Sequence, residues 1–315
     1  MAPPLVPAPD PSTVRLDGPW THRDVSANGI RLHVAEAGSG PMVLLLHGFA
    51  EFWWTWHHQL RTLADAGFRA VAADLRGYGD SDKPPRGYDA WTLAGDVAGL
   101  VRALGERKAH LVGHAWGGML AWSAATLHPR VVSSVSVFGS AHPLALRSAV
   151  ARGALRKQGQ ARAMAHLLRF QLPIAPERWL VADSAAAVER LLHDWSGKAW
   201  HSGPDFPHTA ATFRRAMLVP GVAHSALEYY RWAFRSQFRG DGRRFADAVD
   251  TRLRMPVLQL HGAADPVVLV ETARDSAPWL GPYSRFELRP DIGHYPQLED
   301  PATTTKVLVE FLRGK

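Results

Sequence analysis

The 315-residue chain contains no cysteine. That excludes disulfides, thiolate metal ligands and a thiol nucleophile, and it leaves the compartment open. No apolar run reaches the roughly 18 residues that a membrane span needs, so neither a spanning role nor a membrane partner is expected. The start, MAPPLVPAPDPSTVRLDGPW, lacks both a basic n-region and an apolar core. Residues 1–20 read as a flexible lead-in rather than a secretory signal, and a cytoplasmic protein is expected. Acidic residues are the minority charge, 29 against 36 Lys and Arg, for a formal net charge of +7. The arginines form no dense tract and alternate with no stacking aromatics, so a solvated surface is expected and nucleic acid is not a partner. Rossmann and Walker glycine patterns are missing as well, and no cofactor is implied.

What is present is an alternation of short apolar runs and amphipathic stretches. Val25 to Asn28 and Ile30 to Ala35 flank Asn28-Gly29, a good two-residue hairpin turn. Pro41-MVLLLHG, Phe68-RAVAAD, Ala109-HLVGH and Val131 to Phe138 read as strands, the first buried on both faces. Trp54–Ala66, Thr92–Leu104 and Gly117–Leu127 read as helices between them. The pattern implies a mainly parallel sheet covered on both faces, an α/β fold. From His142 it stops: Leu144–Phe170, Ser184–Trp195 and Pro207–Phe238 all read as helices. The alternation resumes near Met255 with PVLQLHG, a helix, Ser284-RFELR and a last helix, Ala302–Leu312. A helical insertion, 142–250, thus interrupts a core formed by 21–141 and 251–315.

Three loops that follow strands carry the candidate chemistry. Gly113-His114-Ala115-Trp116-Gly117-Gly118 joins a strand to a helix. A turn of the form G-x-nucleophile-x-G needs glycines because its middle residue is strained and its neighbours pack without Cβ atoms. Asp265 follows PVLQLHG, and His294 follows the next strand. The order of elbow, acid and His is that of an α/β hydrolase. Asp265-Pro266 is also a good helix start, and Tyr230 beside Trp232 also suits plain packing. Asp74 and Asp80 read as loop braces, and Ser140, after its own strand, as a rim residue and a weak substitute nucleophile. The 16 histidines invite a metal. His110 and His114, however, fall on a strand, which holds them ~13 Å apart, so no metal is expected.

HGFAEFWWTWHHQL, DLRGYGDSDKPP and LVGHAWGGMLAW together resemble the α/β-hydrolase superfamily, and within it the soluble epoxide hydrolases. The resemblance runs from about residue 20 to the C-terminus. It implies an eight-stranded sheet with an inserted helical cap, and a small apolar substrate of the epoxide kind. It also implies that an Asp at position 115 attacks an epoxide carbon, after which His294, oriented by Asp265, activates water to hydrolyse the ester. The N–H groups of Phe49 and Trp116 would hold the oxyanion, and His47, Phe170 and Ser140 would line an apolar pocket with Trp53, Trp54, Trp56 and Trp116, some of these tryptophans being plain core. Two tyrosines from the cap would hold and protonate the epoxide oxygen.

This sequence departs from the pattern at Ala115, a methyl group with no lone pair. Of the two tyrosines, Tyr230 is in place and Phe170 occupies the expected position of the other. Ala50 stands where proline often follows HGF. Losing a triad nucleophile costs on the order of 10⁶ in turnover. Three readings follow: an epoxide-hydrolase relative with covalent hydrolysis largely lost, an enzyme using His294 and Asp265 as a general base, and a non-catalytic binder of small molecules.

Overall fold

The buried five-residue run Met42–Leu46 becomes the middle of an eight-stranded sheet in the structure, a computed structural model describing residues 9–153 and 159–314. The strands are β1 (Thr21–Ala27), β2 (Ile30–Ala37), β3 (Met42–Leu46), β4 (Arg69–Ala73), β5 (Ala109–His114), β6 (Val132–Phe138), β7 (Val257–Gly262) and β8 (Arg285–Arg289). Their order is β1-β2-β4-β3-β5-β6-β7-β8. β1, β2 and β4 pair antiparallel, and the other five pairings are parallel. The hairpin turns at Asn28 and Gly29, with φ 48° and 80°. Positive φ at both positions is what a right-twisted two-residue hairpin requires.

The crossover β3–α1 (His57–Asp65)–β4 runs one way across the sheet, and β4–α2 (Ala90–Ala103)–β5 runs back. Right-handed crossovers therefore put α1 on one face, and α2 with α3 (Trp116–Leu127) on the other. Every parallel strand ends its run at the same edge, and the three candidate loops follow β5, β7 and β8 there. In an open α/β sheet, ligands bind at that edge.

Between β6 and β7 lie eight helices among the described residues. They are α4 (Pro143–Gly153), α5 (Gln160–Ala163), α6 (His166–Phe170), α7 (Ala175–Trp195), α8 (Lys198–His201), α9 (Asp205–Met217), α10 (Val222–Ser236) and α11 (Gly240–Val249). The expected long helices are thus subdivided. Pro220-Gly221 splits 207–238, because proline cannot continue a helix and Gly221 takes φ 84°. The expected helix 144–170 includes residues 154–158, which lie outside the described residues. α7 starts earlier than Ser184 and carries a break at Ala182–Ala185, where three successive residues have positive φ. The chain closes with α12 (Val270–Arg274), α13 (Pro296–Glu299) and α14 (Pro301–Leu312), the last packed on α1.

Residues 1–8 of the expected lead-in lie outside the described residues, and 9–20 are not loose. Val14 is buried and its carbonyl accepts from the Trp53 indole at 2.9 Å, while Arg15 pairs with Asp24 and Asp80. A Pro-rich composition suggested freedom; two ion pairs and a buried valine remove it. No helix among the described residues is long and apolar enough to cross a membrane.

Candidate active site

The turn after β5 is built on glycine contacts. A Cβ on Gly113 would drive into the Gly117 carbonyl, and one on Gly117 into the Leu46 carbonyl of β3. Only hydrogen fits at either position, so α3 can start hard against the sheet. The turn places Ala115 at φ 47°, ψ −109°, a conformation that costs a non-glycine residue about 1–3 kcal/mol. Backbone bonds hold it there: Ala115 N–H donates to Phe138 O and Met119 N–H to Ala115 O, both at 3.0 Å. The HGF loop crosses directly over it, since a Cβ on Gly48 would lie 3.0 Å from the Ala115 methyl. Neighbouring Ala50 sits at φ 60°, which is closed to proline, so the loop follows a path that a proline there could not take.

His294 and Asp265 meet as a buried pair, Nδ1 to Oδ2 at 2.8 Å. Asp265 Oδ1 accepts from the N–H groups of Val267 (2.8 Å) and Val268 (3.0 Å). Burial alone would raise this carboxyl; the His294 ring and the N–H donors more than offset it and hold it below its ordinary value. Since α12 is capped at Leu269, helix capping is not the work of Asp265. With Nδ1–H committed to Asp265, the His294 Nε2 is left to the chamber.

Behind this dyad stands a second pair that sequence reading missed. His114 Nδ1 faces Glu51 Oε2 at 2.8 Å, and its Nε2 donates to the His294 carbonyl, also at 2.8 Å. Glu51 also accepts from the Gly48 N–H, the Thr55 hydroxyl and the Gln297 amide, surroundings that favour a carboxylate facing a protonated ring. Burial opposes this, but the Glu51 carboxylate raises His114 above its usual value, and His114 in turn holds Glu51 below its own. Glu299 was also missed. Its carboxylate accepts from the N–H groups of Gly197, Gly293 and Tyr295 at 2.7–2.9 Å, tying the His294 loop to the start of α8. The His294 N–H itself donates to Trp195 O at 2.8 Å.

A cavity of about 370 Å³ opens over this arrangement, lined among others by Phe49, Ala115, Trp116, Ser140, Tyr230 and His294. Trp195, Met164, Leu167 and Phe234 form much of the rest. Tyr229 donates to Arg76 O and points away; Tyr230 faces in, its ring 5.2 Å from that of Trp116. Burial pushes the Tyr230 phenol well up, so it stays protonated.

Five expected pocket residues lie elsewhere. Trp53 is fully buried beneath Trp20 and the Val14 carbonyl, and Trp56 packs on Phe138. Trp54 stacks on His57. His47 is locked inside its loop, its ring bonded to Gly48 O and Leu75 N. Phe170 is buried one layer back, touching Phe49 and Tyr230 rather than lining the cavity. One turn before it, His166 packs against Trp195 and Tyr230, its Nε2 buried without a partner among the described residues and burial taking it down to about 4. Asp74 and Asp80 brace their loop, Asp74 through His33 and the Trp53 and Asp80 N–H groups, Asp80 through Arg15 and Arg31.

The family model for the alpha/beta hydrolase fold matches residues 41–301. Epoxide hydrolase A of Mycobacterium tuberculosis is 32% identical, over 94% of this chain and 98% of its own length. Among solved structures, an epoxide hydrolase from an endophytic Streptomyces superposes with a TM-score of 0.78 at 28% identity, covering 95% of this chain and 96% of that one. The Bacillus megaterium epoxide hydrolase in complex with an inhibitor gives 0.78 at 25% identity, over 92% and 100%.

Proposed function

The chain belongs to the α/β hydrolase fold family and is epoxide-hydrolase-like, and on that premise we propose that residue 115 is the position of a missing nucleophile. Residues 142–250 then act as a cap over the chamber, and 21–141 with 251–315 as the hydrolase core. The observation that carries this reading is the strained turn at Ala115, kept in a cavity that Phe49, Trp116, Tyr230 and the Asp265-paired His294 also line.

With a carboxylate at 115, the steps would be straightforward. Its oxygen would attack an epoxide carbon, the ring C–O bond would break, and the Tyr230 O–H would supply the proton to the leaving oxygen. His294 Nε2 would then take a proton from water as the water oxygen adds to the ester carbonyl. Phe49 and Trp116 N–H groups would hold the oxyanion until the ester C–O bond to the product breaks; the diol oxygen would take the proton from His294, and the carboxyl regained at 115 would ionise, its proton restoring the Tyr230 phenol. The methyl group of Ala115 can do none of the first step. The protein therefore binds small apolar molecules of the epoxide class with covalent hydrolysis largely lost.

Installing the nucleophile tests this. Ala115→Asp should raise turnover of an epoxide panel by about 10³-fold or more over the unmodified chain. Equal rates in two folded proteins would overturn the reading. A second reading is favoured by the free His294 Nε2: the dyad could act alone as a general base on water or a substrate O–H. That reading requires turnover in the unmodified chain that His294→Ala abolishes.

A further inference from the structure

Resting on that reading of position 115, we infer that the chamber is a binding site for an apolar monocarboxylic acid, its carboxylate seated at the N-terminus of α3. With alanine at 115, no acidic side chain is left among the described cavity-lining residues. Asp265 and Glu51 stand one layer behind, each already paired with its histidine. Among the described residues, Arg147 is the only arginine that lines the cavity, and it forms no ion pair with them.

Donors gather at the floor of the chamber. α3 is a 12-residue helix whose first-turn N–H groups have no intrahelical acceptor and whose dipole favours an anion. Neither the Trp116 N–H at its start nor the Phe49 N–H of the overlying loop has a protein acceptor among the described residues. Ser140 supplies the independent sign of a ligand. It is 3% exposed, lines the chamber, and its Oγ has no hydrogen-bond partner among the described residues. That Oγ lies 2.7 Å from where a Cβ on Gly118, the third residue of α3, would stand, so it borders the same helix start. A buried hydroxyl without an acceptor is costly unless something accepts from it, and the two amides are left to donate to the same partner.

A carboxylate offers about four lone-pair sites on two oxygens and can take all three donors; an epoxide or an alcohol has one oxygen. Above the floor, Leu146, Val150, Met164, Leu167 and Phe234 form walls suited to an alkyl or aryl body. A carboxylate on residue 115 would repel such a ligand, so loss of the nucleophile and gain of an acid site are one change.

The test is calorimetric titration of the full chain with decanoate and with decanol, a neutral ligand of similar length. Decanoate should bind at least about 10-fold more tightly than decanol. Ala115→Asp should weaken decanoate at least about 10-fold relative to Ala115→Asn, which has the same size and no charge. Ser140→Ala should weaken decanoate about 5-fold and decanol less. Equal affinity for the two ligands, or equal effects of Asp and Asn, would overturn the inference. Should both position-115 variants misfold, the ligand preference and Ser140→Ala decide it. Epoxide turnover by Ala115→Asp without a decanoate preference in the unmodified chain rejects this inference alone. A preference that Ala115→Asp reverses, with no epoxide turnover, rejects the earlier reading alone.

Discussion

The two halves of the chamber floor are specified by opposite means. At the elbow, specificity comes from what is absent: Gly113 and Gly117 lack the Cβ atoms that would hit backbone carbonyls. At the dyad it comes from buried charge: Asp265 with His294, Glu51 with His114, and Glu299 on three N–H groups. The comparison separates geometry from chemistry. A strained turn can persist after its reactive group is gone, because neighbouring backbone holds it, whereas a charge network loses its purpose with any one member.

The contrast is tested most strongly by joining the halves. In an Ala115→Asp background, His294→Ala should cut steady-state epoxide turnover about 10³-fold or more and leave the ester on the protein, seen as a mass increase of one substrate. No trapped adduct in a folded double variant would mean that the halves do not work together. Next in size, Gly117→Ala should destabilise the fold by about 3 kcal/mol or more, since the new methyl meets the Leu46 carbonyl rather than a movable side chain. Chemical denaturation measures this, and a loss under 1 kcal/mol would show that the elbow can relax.

The charged half should be the one that pH reaches. His166, at the border of the dyad and the helical insertion, has a folded value of about 4 against 6.5 unfolded. The unfolded chain then binds the proton first, so stability present above pH 6.5 declines as pH falls toward 4, by up to about 1.4 kcal/mol per pH unit. Thermal melts of His166→Phe should show a correspondingly flatter slope in that window; an unchanged slope would remove this group from the balance. Glu51 and Asp265, both held low, add losses only below about pH 4.5. Smallest, Ala115→Gly should stabilise the protein by about 1 kcal/mol, because glycine adopts positive φ without a Cβ penalty. A destabilisation would mean that the Ala115 methyl packs favourably enough to outweigh its strain.

Much of this was legible from the chain. Strand runs such as Met42–Leu46 announce themselves because a strand buried on both faces has no polar positions. Asn28-Gly29 and Gly113-x-Ala115-x-Gly117 announce themselves because few other residues tolerate those backbone angles. Where local rules competed, reading failed. Trp53 and His47 lie in the right loop, yet side-chain direction turns one toward Val14 and the other into its own turn. Phe170 and His166 are one helical turn apart, and only tertiary packing sets His166 on Trp195 and Phe170 on Tyr230, both behind the residues that line the chamber.

By itself the sequence determined the strand and helix alternation, the elbow, the Asp265–His294 pairing and the alanine at 115, all set by short-range sterics and residue order. Tertiary structure alone decided that Glu51 meets His114 across 63 residues, that Glu299 clamps the His294 loop, and that Ser140 stands unpartnered beside the start of α3. Buried charges and unmatched donors take their meaning from neighbours distant in the chain. No local pattern encodes them, because their energy depends on what surrounds them once water is gone.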